Sequence, residues 1–103
     1  MMVNERTSAH IAVEFRDRFG ALVVPINIQY RVDCRTTLTS LVPLTSVAAA
    51  STLTIHVTST QNRIIERSNV QEDRVVTVTA DYGSDHMVVQ QYDYTVRNLQ
   101  FVD

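Results

Sequence analysis

Side chains branched at Cβ dominate this chain: valine, isoleucine and threonine fill 34 of its 103 positions, with 16, 6 and 12 copies respectively. Branching restricts the first side-chain torsion in a helix and suits the extended backbone of a strand. Glycine and proline occur only twice each, so Asn, Asp, Ser and Thr must form most of the turns. We therefore predict an all-β fold.

Apolar and polar residues alternate along five parts of the chain, which is the period of a strand with one buried face. These predicted strands lie at about residues 11–15, 26–33, 53–57, 74–82 and 87–99. Residues 21–24 form a short extended piece that ends at Pro25, a residue type expected at a sheet edge. Residues 38–42 are a further candidate strand. Residues 45–50 are predicted as a loop, with a helical turn at 48–50 as the alternative.

The parity of the apolar positions predicts which side chains fill the core. The inward-facing set on the long strands is Ile26, Ile28, Tyr30, Val32, Leu53, Ile55, Val57, Val76, Val78, Ala80, Tyr82, Val88, Tyr92, Tyr94 and Val96. The isoleucine pair at 64–65 is expected to tuck beneath the sheets, whereas the charged residues 72–74 are expected to form a solvated corner. Gly83 supplies positive φ in a predicted turn over residues 81–85.

Strands of unequal length with turn signals between them favour a sandwich over a closed barrel. We predict one domain over residues 1–103, an immunoglobulin-like antiparallel β-sandwich of six to seven strands, with residues 1–8 as a flexible arm. A chain of this length can bury a core without metal or disulfides. The sole cysteine, Cys34, has no partner for an intramolecular disulfide and is expected to act as a small apolar residue at a strand end.

Charge and hydropathy argue against nucleic-acid and membrane partners. The formal net charge is −2 and the pI is about 5.8, so the clustered excess of cations that phosphate binding needs is missing. The most apolar stretch, residues 41–50, is too short to span a bilayer. Because Glu5, Arg6 and His10 precede any apolar run, we expect no secretory signal and a mature chain that begins near Met1.

Two features of the charge pattern suggest a protein interface. No charged residue lies between Arg35 and Arg63, a gap of 27 positions, and interfaces are depleted of charge at their centres. Solvated threonine-rich strands would give the same pattern. All nine cations are arginine, which is enriched at interfaces, and the lysines that protect exposed sheet edges are missing. Codon bias in a GC-rich genome is the alternative explanation.

Residue patterns for catalysis or metal binding are not found in the sequence. The three histidines, His10, His56 and His86, lie in different predicted elements and form none of the spaced pairs typical of zinc sites. Neither a serine-nucleophile turn nor a glycine-rich phosphate loop occurs, and Cys34 has no identifiable base. We predict no enzyme activity, no cofactor, no metal and no small-molecule substrate.

Five runs of sequence carry a resemblance to a known group of proteins. They are PINIQYRVDC, SLVPLTS, STLTIHVTSTQNRII, EDRVVTVTADYG and QQYDYTVRNL, within residues 13–99. Together they resemble small immunoglobulin- or fibronectin-III-like proteins encoded among the structural genes of tailed bacteriophages. The resemblance implies a non-enzymatic virion subunit, assembled in the host bacterial cytoplasm, that decorates capsids, braces head–tail joints or coats tails in many symmetric copies. Its partners would be other virion proteins.

The expected contact residues combine the threonine-rich strand face with the arginines that bound the uncharged gap. They are Thr52, Thr54, His56, Thr58, Arg35 and Arg63. A second hypothesis is a module that binds a host surface or a carbohydrate. Such sites usually present clustered aromatic platforms, yet this chain has no tryptophan and its four tyrosines fall on core parity.

Overall fold

The computed structural model describes residues 1–83 and 86–99, and within these ranges the chain forms seven strands and no helix. The strands are β1 (Met2–Asn4), β2 (Ala9–Glu14), β3 (Asn27–Cys34), β4 (Thr39–Val47), β5 (Thr52–Val57), β6 (Gln71–Asp81) and β7 (Met87–Arg97). The all-β prediction is confirmed. No helix in the described ranges is long and apolar enough to cross a membrane.

The strands form two sheets that face each other across one core, a β-sandwich arrangement. The large sheet has the order β1-β7-β6-β3-β4, and the small sheet contains only β2 and β5. All pairs are antiparallel except β1 with β7, which is parallel, so the large sheet is mixed. Residues 1–8, expected as a flexible arm, instead contain a strand of this sheet and the buried side chain of Glu5.

The inward face of the large sheet consists of the even-numbered residues of β3, β6 and β7. Val76, Val78 and Ala80 pair across the strands with residues of the same parity and are buried with Ile28. The predicted core is confirmed for most positions, but Ile26 is 70% exposed because it lies one residue before β3 begins. Ser84 and Asp85, part of the predicted turn, lie outside the described residues.

Strand β4 is longer than the sequence predicts. It continues through residues 45–47, where we expected a loop, and it contains Pro43. Proline has no N–H to donate to a sheet ladder. It is tolerated there because β4 is an edge strand, which has a neighbouring strand on one side only. The pairing with β3 shifts register twice, around Val32. Residues 48–51 form an irregular link, not a helical turn.

The lateral position of the small sheet follows from its short links to the large one. Residues 48–51 join β4 to β5, and residues 5–8 join β1 to β2. The Cα atoms that each link joins are five positions apart in the chain and so at most about 18 Å apart in space, and more than half of that reach is needed to cross the roughly 10 Å between facing sheets. The links therefore place β5 on the β4 side of the small sheet and β2 on the β1 side.

An ion pair between Glu72 and Arg74 is buried on the inward face of β6, with both side chains 0% exposed. The prediction of a solvated corner at residues 72–74 is wrong for these two residues. Arg74 Nη2 lies 2.9 Å from Glu72 Oε1, and the same guanidinium donates to the backbone oxygens of Gln61 and Arg63. Strand alternation turns even positions of β6 inward whatever their charge, and the segment between β5 and β6 supplies the polar partners.

Glu72 also holds that segment in place. Its carboxylate accepts hydrogen bonds from the backbone N–H of Ile65 and Glu66, both at 2.9 Å, and from Asn69 Nδ2 at 3.2 Å. Burial raises the pKa of Glu72, but the hydrogen bonds from these backbone amides, Arg74 and Asn69 together outweigh it and hold the pKa below its ordinary value. The long irregular connection from β5 to β6 is therefore anchored by one carboxylate.

Asn62 forms a second buried anchor in the same segment. Its Nδ2 donates to Thr7 O at 2.8 Å, and its Oδ1 accepts from the Tyr94 hydroxyl at 2.7 Å. Burial raises the pKa of Tyr94 to about 12. One amide side chain thus ties the N-terminal residues and the β5–β6 segment to β7.

Candidate functional site

The predicted contact face is the solvent side of β5. Thr52, Thr54 and His56 are exposed and alternate with Leu53, Ile55 and Val57, which face the core. This alternation matches the sequence prediction. Thr58 is also exposed but lies one residue beyond β5, where its Oγ1 accepts a hydrogen bond from the backbone N–H of Gln61. Thr58 therefore belongs to the turn that follows the strand.

The two predicted arginines do not join this face. Arg35 lies on the outward face of the large sheet, where Nε is 3.1 Å from Asp93 Oδ1, so it is on the opposite side of the sandwich from β5. Arg63 is exposed in the β5–β6 segment, beyond Thr58. The six predicted residues therefore do not form one contiguous surface.

The uncharged segment does form a continuous surface. Strand β4, the link 48–51 and β5 follow one another in the chain, lie on the same side of the sandwich and contain no charged residue. We call residues 39–57 the uncharged side. It includes one edge strand of each sheet. The sequence indicated the lack of charge, but only the fold places β4 and β5 together at one lateral boundary.

The free edge of β5 exposes backbone groups. Phe15 N donates to Ser51 O at 2.9 Å, which extends the β2–β5 ladder and fixes its alternation. In this register, the N–H and C=O groups of Leu53, Ile55 and Val57 point toward β2. The corresponding groups of Thr52, Thr54 and His56 point away from β2, and β5 pairs with no other strand in the described part of the chain.

The other strand edges carry features that discourage further pairing. Strand β4 has Pro43 and two register shifts, and β1 has only three residues. At the end of β2, Phe15 O accepts a bond from Val23 N, and Glu14 forms an ion pair with Arg16 at 2.8 Å. Proline, irregularity, charge and short length all protect edges. The β5 edge has six regular residues and none of these features.

An apolar strip lies beside the β5 edge. Leu41, Val42 and Val47 are half-buried members of the core, whereas Ile28 and Val32 on the neighbouring β3 are fully buried. This gradient indicates that the small sheet covers β3 and stops short of β4. We call these three β4 residues the β4 overhang. They are apolar, packed against the core and only partly covered.

His10 and His56 face each other across the small sheet. They are directly paired in register, and their rings stack with centroids 4.6 Å apart and an interplanar angle of 5°. The pair is a non-hydrogen-bonded one, the type in which side chains approach most closely. The sequence placed the three histidines in different elements, and the structure agrees, with His10 in β2, His56 in β5 and His86 just before β7. No sequence signal could reveal the pair, because β2 and β5 are distant in the chain.

A cleft of about 500 Å³ opens at one end of the sandwich. It lies between the β2–β3 connection and the β6–β7 end, and its aromatic lining consists of Phe19, Tyr82 and His86. Phe19 is 81% exposed, and the Arg18 guanidinium carbon lies 4.9 Å from its ring centroid. Burial raises the pKa of Tyr82. Sequence parity assigned Tyr82 to the core and gave no sign of this cleft.

A shallower cleft of about 410 Å³ lies on the outward face of the large sheet. Its charged groups are already paired, since Arg35 contacts Asp93 and the Thr95 hydroxyl donates to Asp73 at 3.1 Å. No group of three or more His, Cys, Asp or Glu side chains suited to a metal ion occurs among residues 1–83 and 86–99. Cys34 is buried at the end of β3, as predicted.

The chain matches no protein-family model, no curated protein and no solved structure.

Proposed function

We propose that the chain is a non-enzymatic virion structural protein of a tailed bacteriophage, which binds neighbouring capsid, connector or tail subunits as a decoration or head–tail joint protein. In this proposal it works without cofactor, nucleic acid or membrane. It assembles in the host bacterial cytoplasm and acts in the virion through protein contacts alone. The sequence resemblance to phage structural proteins motivates the virion assignment.

The strand order supports an immunoglobulin-like topology for this module. In variable-type immunoglobulin domains, strands G, F, C and C′ are neighbours in one sheet, and B and E are neighbours in the other. Here β7, β6, β3 and β4 follow one another in the large sheet, and β2 pairs with β5. Taking β2 as strand B, β3 as C, β4 as C′, β5 as E, β6 as F and β7 as G gives the same arrangement, with no counterpart of C″ or D among the described residues. We propose that correspondence as the fold of the domain.

The observation that carries the functional proposal is the uncharged side. A run of residues without charge is uninformative while its location is unknown, because a solvated threonine face would look the same. Here the run forms one lateral boundary of the domain, with an unprotected strand edge and an incompletely covered apolar strip. These properties suit a surface that is buried in an assembly.

Repetition in a symmetric particle would compensate for a small contact area. The uncharged side of so small a domain has a small area, so the interface that each copy forms is also small. Many identical copies around a symmetric shell or tail give strong overall attachment. The preference for arginine over lysine fits such a role, because lysine is depleted at interfaces.

The experiment measures copies per particle by quantitative mass spectrometry of virions from the phage that encodes the chain. The wild type, a Thr54→Asp variant and a Thr54→Asp/Thr58→Asp variant are supplied from a plasmid to a phage that lacks the gene. The Thr79→Asp variant, on the outward face of the large sheet, is the matched control. We expect wild-type and Thr79→Asp proteins in the particles and a loss of at least tenfold for the other two. Absence of the wild type, or normal incorporation of folded Thr54→Asp, would overturn the proposal.

One observation favours a second function, a ligand-binding module. The end cleft carries three aromatic rings and lies between the connections that correspond, in the proposed topology, to the B–C and F–G loops, which bind antigen in antibodies. A glycan array probed with the isolated chain tests this alternative. Selective binding that is lost on Phe19→Ala would support it over the virion role, and no binding would reject it.

A further inference from the structure

We propose that the uncharged side binds its partner by strand addition: an extended, uncharged segment of a neighbouring virion protein pairs with the free edge of β5 and becomes the third strand of the small sheet. The inference rests on the proposed function and specifies how the partner is held. Main-chain hydrogen bonds would give affinity, and alternate side chains would give specificity.

The two sheets differ in their number of strands. Five strands face only two, so the large sheet is wider than the small sheet that packs against it. The apolar residues of the β4 overhang, Leu41, Val42 and Val47, are as a result only partly buried. A third strand beside β5 would lie directly beneath them and would bury the part of β4 that the small sheet leaves uncovered.

The free edge of β5 presents backbone groups that another strand could pair with. The outward N–H and C=O groups of Thr52, Thr54 and His56 form a regular row with no strand partner in the described ranges. Such a row is a ready template for another strand. Natural edges are commonly blocked by proline, bulges or charge. Here β4 has Pro43 and two register shifts, and β2 has a charged residue, Glu14, at its end. The β5 edge is left open.

The space beside β5 admits one kind of occupant. The space beside the free edge of β5 is covered by a single strand of the large sheet, β4. It is therefore one strand wide. A second copy that offered its own β5 would bring its β3 and β4 into the layer that β4 of the first copy already fills. An extended segment without an attached sheet avoids that clash. A terminal arm or long loop of a neighbouring subunit has this form.

The chemistry of the site specifies the segment further. It must be about six residues long to match β5, and strand geometry turns alternate residues toward the β4 overhang. Those residues must be apolar. Because residues 39–57 offer no charge to pair with, a charged side chain facing inward would be buried without a partner, which is strongly unfavourable.

Proline substitutions test strand addition separately from the choice of surface. The N–H groups of Thr52 and Thr54 point away from β2, so Thr52→Pro and Thr54→Pro remove a donor from the free edge and none from the β2–β5 ladder. Thr52 is also the first residue of its strand, a position that accepts proline. The matched controls Thr52→Val and Thr54→Val keep the backbone donor and change only the side chain.

Copies per virion are measured for each variant that retains the wild-type circular dichroism spectrum. We expect at least a tenfold loss for the proline variants and less than a twofold change for the valine variants. If proline variants assemble normally while Thr54→Asp fails, the surface is correct and strand addition is overturned. If Thr54→Asp also assembles normally, the proposed function itself fails. A free chain that dimerises, with the dimer abolished by Thr54→Pro, would identify a second copy as the occupant and overturn the partner-segment proposal.

Amide hydrogen exchange provides a measurement that needs no variant. Exchange at Thr52, Thr54 and His56 is compared between the free chain and the chain in purified virions. Strand addition predicts that these three amides exchange at least tenfold more slowly in the particle. Equal rates in the two states would overturn the proposal even if neither proline variant folds.

Discussion

The guanidinium of Arg74 lies 2.9 Å from the carboxylate of Glu72, and neither side chain is exposed to solvent. Removing one member of a buried ion pair leaves the other charge without compensation, at a cost of about 3–5 kcal/mol. We therefore expect Arg74→Met, which keeps most of the side-chain length, to lower the free energy of unfolding by that amount. Urea denaturation followed by circular dichroism measures it.

The Arg35–Asp93 pair provides the matched control, because both of its members are largely exposed. Exposed pairs contribute about 0–1 kcal/mol, so Arg35→Met should leave stability within about 1 kcal/mol of the wild type. Equal losses for the two arginine substitutions would show that burial of the Glu72–Arg74 pair does not set its contribution.

The free energy of unfolding should depend on pH through the protonation of Glu72. Its pKa lies below the ordinary value, so its stabilising contribution is complete above about pH 4.3, the usual glutamate pKa. That contribution is lost as the pH falls through the lower pKa of the folded state. We expect the stability difference between the wild type and Glu72→Gln to be largest at neutral pH and to shrink below about pH 4. Urea denaturation across this range measures it, and a pH-independent difference would contradict the account.

Ionisation of the Tyr94 hydroxyl should lower the stability of the fold at high pH. This hydroxyl donates to the buried Asn62 side chain at 2.7 Å, and burial raises its pKa to about 12. The stabilising contribution of the protonated Tyr94 hydroxyl is therefore complete below about pH 10, the ordinary tyrosine pKa. It is lost as the pH rises toward 12. Ultraviolet titration should show a late-ionising tyrosine that Tyr94→Phe removes. At neutral pH, the same substitution should cost about 1–3 kcal/mol, since Asn62 Oδ1 loses its donor.

The stacked histidines should stabilise the small sheet as a pair. Aromatic pairs across antiparallel strands contribute about 0.5–1 kcal/mol beyond their individual effects. A double-mutant cycle with His10→Thr, His56→Thr and the double variant at pH 8 should give a coupling energy in this range. His86 lies in another part of the fold, so the His10→Thr and His86→Thr substitutions should be additive. A coupling near zero for the first pair would mean that the stacking adds nothing to stability.

Alternation was sufficient to predict the fold class and most of the core. Residues such as Val76 and Val78 alternate with polar neighbours, so their burial follows from strand geometry alone. The same alternation placed Glu72 and Arg74 inward, but their charge led to the opposite prediction. Their partners lie in an irregular segment whose path depends on the whole fold. Local pattern therefore identified the strand but could not show what would neutralise its charges.

The candidate site was predictable only in part. The lack of charge between Arg35 and Arg63 indicated the right segment, and the outward orientation of Thr52 and Thr54 followed from parity. The open edge of β5 could not be predicted, because strand order depends on pairings between distant parts of the chain. The same limitation hid the contact between His10 and His56 and grouped Arg35 with a face on the opposite side of the sandwich.

We propose that this protein acts through the uncharged side. Amide exchange across the whole chain, measured by mass spectrometry for the free protein and for the protein in virions, is the decisive test. Protection on assembly should concentrate in residues 39–57. Protection confined to the end cleft around Phe19 and Tyr82, or to the outward face of the large sheet around Arg35 and Asp93, would contradict it.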